Sequence, residues 1–397
     1  MSSVDDTLGN GEGHTHPADS NAASTPPEGA SPVTERGRVG GASGGAIPGG
    51  PLGRAWRRLQ PTSLGRVLAA FGRLLGRALA TNASWIFLLL IVCVVLFNVM
   101  SGGRFATADN VSNVAVNVAV LLVIAVGETF VMATGGIDLS VGYVLLFSGV
   151  TCAQTMNWGG ANPTGRGWDV VLLGLGVALV SGLGWGIVNG IVVAKAHVPA
   201  LITTLGTLGM SWGLAEILSN GQDLRYIPQV LANMGAGHVG PVPTLVVIAA
   251  VVAAVGAVML NLTKFGRYTL AIGSNQEAAR RAGIDVDRHL IKVYALSGGL
   301  AGFAGFLNLA LYTTTTISGH ANDNLQAIAA TVIGGTSLLG GIATVVGTVI
   351  GVFIPMVLYS GFTILGYQSF WRDVAVGAVL IAAVYVDQLR RRRRERG

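Results

Sequence analysis

The feature that most constrains this chain is a succession of apolar stretches, each close to the length that crosses a bilayer. A hydrocarbon core of roughly 30 Å takes about 20 helical residues. Stretches near 84–101, 110–133, 139–156, 169–193, 199–218, 243–261, 291–313, 325–339, 341–361 and 372–387 meet or approach that length. In hydrocarbon every backbone N–H and C=O needs an internal partner, so such runs cross as helices. The expected fold is an all-α polytopic membrane protein of about ten transmembrane helices, the third and eighth of them short. Composition agrees: 51% of residues are hydrophobic and 11% charged, with a mean hydropathy of +0.61, values foreign to a soluble domain. Glycines recur at four-residue spacing, as Gly182, Gly186 and Gly190, as Gly298 and Gly302, and as Gly347 and Gly351. Small faces at that spacing let helices approach closely.

Most of the positive charge falls outside the spans and orients them. Residues 1–55 are rich in Gly, Pro, Ser and Ala and read as a disordered tail. They lack the basic start and immediate apolar run of a secretory signal. Residues 56–83 carry Arg57, Arg58, Arg66, Arg73 and Arg77 and read either as an amphipathic helix on the membrane surface or as a basic linker. Residues 390–397 are a basic tail. A transmembrane domain is expected over 84–389, with a basic loop at 262–290. Loops assigned to the other side hold few basic residues: Arg104, Arg166, Arg225 and Arg372. The positive-inside rule then puts both termini and the basic loop in the cytoplasm. A net charge of +6 distributed this way fits membrane orientation, with no nucleic acid expected. Cys93 and Cys152 both lie in apolar segments, and no zinc or other metal spacing is present.

Within the basic loop, Asn261 to Lys292 holds Lys264, Arg267, Arg280, Arg281, Arg288 and Lys292. Its middle carries a helix signal. Ser274 reads as an N-cap, and Glu277 three residues on would complete a capping box. Ala278, Ala279 and Ala282 favour helix, Arg280 and Arg281 suit the C-terminal end of the dipole, and Gly283 suits the stop. Alone in water so short a helix is marginal. It needs support from its own membrane domain or from a soluble partner.

Polar groups inside the apolar runs are the other departure. Glu128, Asp138 and Glu216 lie in or beside spans, where a charge costs about 2.5 kcal/mol or more on insertion scales. Asp138 sits in Thr134-Gly135-Gly136-Ile137-Asp138-Leu139-Ser140. There the two glycines break one helix, and Asp138 reads as a cap for the next or as the wall of a translocation cavity. Gly334, Gly335, Gly340 and Gly341 mark a second break. Asn113, Asn117, Thr129, Asn189, Thr203, Thr204, Ser211 and Asn308 add amides and hydroxyls, with Trp185, Trp212 and Phe303 near them in sequence. Amides with aromatics suit a neutral polyhydroxy solute and would equally bond helix to helix. The candidate translocation residues are Asn117, Glu128, Thr134, Asp138, Asn189 and Asn308.

The sequence has no phosphate-loop motif, and none of its three lysines follows a glycine. It is not expected to hydrolyse ATP by that route. No nucleophile–histidine–acid pattern marks an enzyme. Four motifs in order carry a resemblance: GETFVMATGGIDLSVG at 127–142, VPALITTLGTLG at 198–209, FGRYTLAIGSNQEAARRAGI at 265–284 and AIAATVIGGTSLLGG at 327–341. Together they resemble the ribose/xylose/galactose-type permeases of bacterial ATP-binding-cassette importers, over roughly residues 84–394. The resemblance implies a non-enzymatic permease of the bacterial plasma (inner) membrane that binds no cofactor itself. It implies a second permease copy, two ATPase subunits or one fused tandem ATPase that uses ATP, and an extracytoplasmic sugar-binding protein. The family's cytoplasmic coupling segment falls on Ser274, Asn275, Gln276, Glu277, Ala278, Arg280, Arg281 and Gly283. The sequence departs from the family pattern at Gln326, where Asp is frequent, and at Ile342-Ala343. These departures leave the family assignment intact and support no particular sugar. A permease for a polyol or a branched-chain amino acid stays open, as does a secondary transporter using Glu128, Asp138 and Glu216.

Overall fold

The computed structural model describes residues 83–385, apart from 158–164, 226, 318, 321, 369, 372, 380, 383 and 384. The expected tail 1–55, all but the last residue of segment 56–83, and the basic tail 390–397 lie outside the described residues, and the stretch 372–387 is described only in part.

Twelve helices are described: α1 Ala83–Met100, α2 Ala108–Ala133, α3 Val141–Asn157, α4 Trp168–Ala194, α5 Ala200–Ser219, α6 Gln229–Ala236, α7 Thr244–Leu262, α8 Lys264–Ser274, α9 Gln276–Arg281, α10 Val286–Tyr312, α11 Asp323–Ile333 and α12 Val345–Ile364. Six of them, α2, α4, α5, α7, α10 and α12, are long and apolar enough to cross a membrane. A short antiparallel pair, His238–Val239 with Val242–Pro243, precedes α7. The chain is thus a mostly helical membrane protein. The expected span 325–339 is a correction: α11 has 11 residues and runs about 17 Å, too short to cross. The glycines that follow it end the helix where apolar composition alone would have continued it.

Helices α2 and α10 form the centre. Every residue of α2 from Val118 to Ala133 is buried, as expected of a helix apolar on all sides. Helix α10 packs on α4 backbone to backbone. A Cβ placed on Gly182 would meet the Gly298 carbonyl, one on Gly186 the Tyr294 carbonyl, and one on Gly302 the Ala178 carbonyl. The glycine spacing in the sequence is this contact, and at these positions nothing larger fits.

Two broken-helix loops meet at one end of the bundle. The first, 134–140, leaves α2 through Gly135 at φ 85°. The second, 334–344, leaves α11 and turns at Gly335, Gly340 and Gly341, all at positive φ. Gly136 and Gly334 are not among the positive-φ glycines. The Gly341 N–H donates to the Ala133 carbonyl at 3.0 Å, which ties one break to the other.

Candidate functional site

The basic loop folds differently from the expected capping box. Ser274 is the last residue of α8, and its Oγ donates to the Leu270 carbonyl at 2.9 Å. A residue in helical conformation cannot also serve as an N-cap, which needs extended backbone. Asn275 takes that role: its φ is −161°, and Oδ1 accepts from the Ala278 N–H at 2.9 Å. Glu277 does not reach back; its Oε1 accepts from Arg281 Nε at 3.2 Å. The end of α9 is as expected. Gly283 sits at φ 82°, its N–H donates to the Arg280 carbonyl, and the Ile284 N–H donates to the Ala279 carbonyl. That is the glycine-terminated C-cap with paired bonds.

The membrane domain itself supports α9. Ala279 is buried in a small cluster with Ala194, Ile272, Val286 and Leu290. Arg280 Nη2 lies 2.7 Å from Asp287 Oδ1, and Lys195 Nζ lies 3.4 Å from Asp287 Oδ2. Such exposed pairs contribute at most about 1 kcal/mol each, so the seating of Ala279 matters as much. Every other residue of α9 is exposed. Just before α9, a Cβ on Gly273 would strike the Ala133 carbonyl and the Gly341 nitrogen. The helix that leads into α9 therefore rests on the end of α2, where the first break begins, and on the second broken-helix loop.

Behind those loops is a buried polar network. Glu128 Oε1 accepts from the Asp138 N–H at 3.1 Å. Asp138 Oδ1 accepts from the Ser140 N–H at 3.0 Å and from Ser140 Oγ at 2.6 Å, and Ser297 Oγ donates to Oδ2 at 3.3 Å. Asn189 Nδ2 donates to Ser140 Oγ at 2.9 Å, and Thr207 Oγ1 donates to Asn189 Oδ1 at 2.7 Å. The network joins α2, loop 134–140, α4, α5 and α10. Hydrogen-bonded partners are what make a buried polar group tolerable. The expectation that Asp138 caps α3 is corrected. The Ser140 carbonyl accepts the first helical bonds, and Asp138 holds Ser140 from two residues upstream. Glu128 Oε2 and the Tyr294 hydroxyl are buried without a partner. Glu216 lies elsewhere, accepting from Trp212 Nε1 at 3.1 Å on α5.

At the other end of the bundle is a polar cavity of about 450 Å³, between α2, α10, α11, α12 and the segment before α11. Asn117 and Asn308, two of the candidate translocation residues, line it, whereas Glu128, Asp138 and Asn189 belong to the buried network and Thr134 to the first break. Asn308 lies 22 residues beyond the start of α10, about 33 Å by helix rise from that start. The Tyr312 hydroxyl donates to Asn117 Oδ1 at 2.7 Å. His320 Nδ1 lies 2.7 Å from Asp323 Oδ2, while Thr316 Oγ1 and Asn308 Nδ2 approach its Nε2 at 2.9 and 3.2 Å. Gln326, also in the lining, is 8% exposed, and its Oε1 has no partner.

The reading of apolar spans singled out none of His320, Asp323, Tyr312 or Tyr359. The available signal was the His320–Asp323 spacing of three residues at a helix start. Gln326 stood out only as a departure from a family pattern.

Residues 110–384 match the family described as branched-chain amino acid transport system, permease component. The Escherichia coli K12 ribose import permease protein RbsC is 35% identical over 305 residues, covering 75% of this chain and 92% of that protein. A probable ABC transporter permease protein, y4mJ of Sinorhizobium fredii, is 34% identical over 80% of this chain and 90% of its own length. The E. coli K12 D-allose transport system permease protein AlsC is 31% identical over 76% of this chain and 90% of its own. No solved structure matches.

Proposed function

The chain belongs to the family of permease components of branched-chain amino acid transport systems, and from that premise we propose that it is the membrane subunit of an ATP-driven monosaccharide importer. Its relatives named for ribose and allose match over about nine-tenths of their own lengths, which supports a pentose or hexose over the amino acid of the family's description. The observation that carries the mechanism is α9: capped, exposed, and entered through a helix packed on the end of α2 and on the second broken-helix loop. A cytoplasmic ATPase that docks on α9 would move α8 against Ala133 and Gly341, and so move the ends of α2 and α11. Nucleotide binding would in this way change which side of the membrane the polar interior faces. ATP hydrolysis belongs to the partner, since this chain has no phosphate loop. Two copies of this chain, two ATPase domains and an extracytoplasmic binding protein complete the reading, with α9 and both termini in the cytoplasm of a bacterial inner membrane.

The test is reconstitution of the chain with its ATPase and binding protein in proteoliposomes. ATP-dependent uptake of labelled D-ribose, D-allose or L-arabinose is expected. Uptake of a sugar that continues without the ATPase would replace the reading with a secondary transporter. Uptake of leucine in place of sugar would favour the amino-acid alternative.

A further inference from the structure

The two carboxylates of the buried network and the polar cavity are separate places, and the cavity has the chemistry of a solute site. Its volume of about 450 Å³ lies within the roughly 300–1,000 Å³ of small-molecule sites. Among the described lining residues there is no lysine or arginine, and the single carboxylate, Asp323, is already bonded to His320. An amino acid would bring a carboxylate with no cation to meet it. Desolvating such a charge unpaired costs several kcal/mol. A neutral polyhydroxy solute needs only hydrogen-bonding groups and a partly apolar wall. The cavity supplies amides on Asn117, Asn308 and Gln326 and the rings of Tyr312 and Tyr359.

These groups are not equally free to bind. The side-chain oxygen of Asn117 is engaged by Tyr312, and the Asn308 amide by His320. Gln326 differs, because it is buried and its acceptor oxygen has no protein partner. An acceptor left in that state loses its water hydrogen bonds with nothing in exchange and is destabilising. Unlike the unpartnered Glu128 Oε2 and Tyr294 hydroxyl inside the packed network, this orphaned acceptor belongs to a residue that lines the cavity, where a solute hydroxyl is the donor to meet it. Resting on the monosaccharide reading above, we propose that this cavity is the sugar-binding subsite of the permease and that Gln326 is a specificity-determining residue accepting a sugar hydroxyl. Helix α11 then carries the sugar contact near its start and the second helix break at its end.

The test uses the assembled importer and the variant Gln326→Met, which conserves volume and removes the acceptor. Three quantities are read: uptake of D-ribose, D-allose and L-arabinose by the assembled importer and, for the permease with its ATPase but without the binding protein, the Tm without sugar and the Tm gain on adding each sugar at saturating concentration. Expected are a Tm without sugar equal to or above wild type, a lost sugar-dependent Tm gain, and uptake reduced at least about tenfold, a factor equal to about 1.4 kcal/mol. Loss of hydrogen bonding together with unimpaired stability separates binding from packing. Wild-type uptake and Tm gain in Gln326→Met would overturn this inference and leave the importer function standing. A Tm without sugar that falls along with uptake, in both Gln326→Met and Gln326→Leu, would make Gln326 a packing residue and overturn it as well. A wild type that transports none of the three sugars would overturn the functional reading, and this inference with it.

Discussion

At the scale of single residues, the basic loop shows how a shift of one position changes what a substitution tests. With Asn275 as the cap, Asn275→Ala removes the bond to the Ala278 N–H and should destabilise α9 by about 1 kcal/mol. Hydrogen exchange at 276–281 should then quicken about fivefold while the Tm of the whole protein hardly moves. Unchanged exchange would mean that the Ala279 seat and the Arg280–Asp287 pair hold α9 without its cap. Glu277→Arg, in contrast, replaces an exposed pair with Arg281 by a like-charge pair and puts a positive charge in the first turn of α9; each costs only a few tenths of a kcal/mol at an exposed site, so the helix should stay formed. Any loss of ATPase binding in that variant would report on the docking surface, and ATPase retention with normal uptake would remove Glu277 from it. The network behind the loops responds differently. Asn189→Ala leaves Ser140 Oγ without a donor and Thr207 without its side-chain acceptor, although Thr207 keeps its backbone acceptors. A loss of about 1–3 kcal/mol is expected, visible as a lower Tm in detergent. A Tm equal to wild type would show that water or a neighbouring group restores the bonds.

Between elements, the contact of α4 with α10 makes the sharpest comparison. Gly184 and Gly186 lie on the same helix two residues apart. A Cβ on Gly184 meets nothing within 4 Å, whereas one on Gly186 meets backbone of Tyr294 and Ala295. Gly186→Ala should cost at least about 2 kcal/mol, because backbone cannot yield as a side chain can, and Gly184→Ala should be tolerated. Equal Tm values for the two variants would show that α4 and α10 separate more easily than their glycine contact implies. Gly273→Ala probes a different junction. A Cβ there strikes the meeting point of α8 with the end of α2 and the second helix break. It should reduce ATP-dependent uptake more than tenfold in protein that still assembles with its ATPase, and normal uptake would remove α8 from the route between ATPase and membrane. The glycine pattern was legible because spacing on a helix maps directly to a face. Which partner that face meets was not legible, since Gly182, Gly298 and Gly347 all carry the same local signal.

For the molecule as a whole, the arrangement is one of two ends. Helices α2, α10 and α12 each bring a residue to the cavity, and α2 and α11 both run on into helix breaks beside α8. Rigid helices that touch the solute site at one end and the breaks at the other provide a physical route for two arrangements to alternate. The prediction at this scale is dependence on the ATPase. Uptake into proteoliposomes should fall to background when the ATPase subunit carries an inactive phosphate loop, with this chain unaltered. The exposed apolar faces of α5 and of α1 are where lipid or a second copy of the chain would lie.

The sequence by itself determined the class of fold and the kind of transporter. Runs of about 20 apolar residues permit helices across a membrane and little else, and motifs in register resist coincidence. It also marked both helix breaks, because glycine pairs are local features. What it left undecided was whatever depends on distant segments meeting. Asp138 looked like a cap or a cavity wall until α2, α4 and α10 closed around it and made it the centre of a buried network. Asn117 and Asn308 looked no different from Asn189, and only the tertiary structure put the first two on a cavity and the third inside the packing. Polar residues within apolar runs carry the same local signal in either role. Their role is set by what the neighbouring helices leave open, and packing across the bundle decides that.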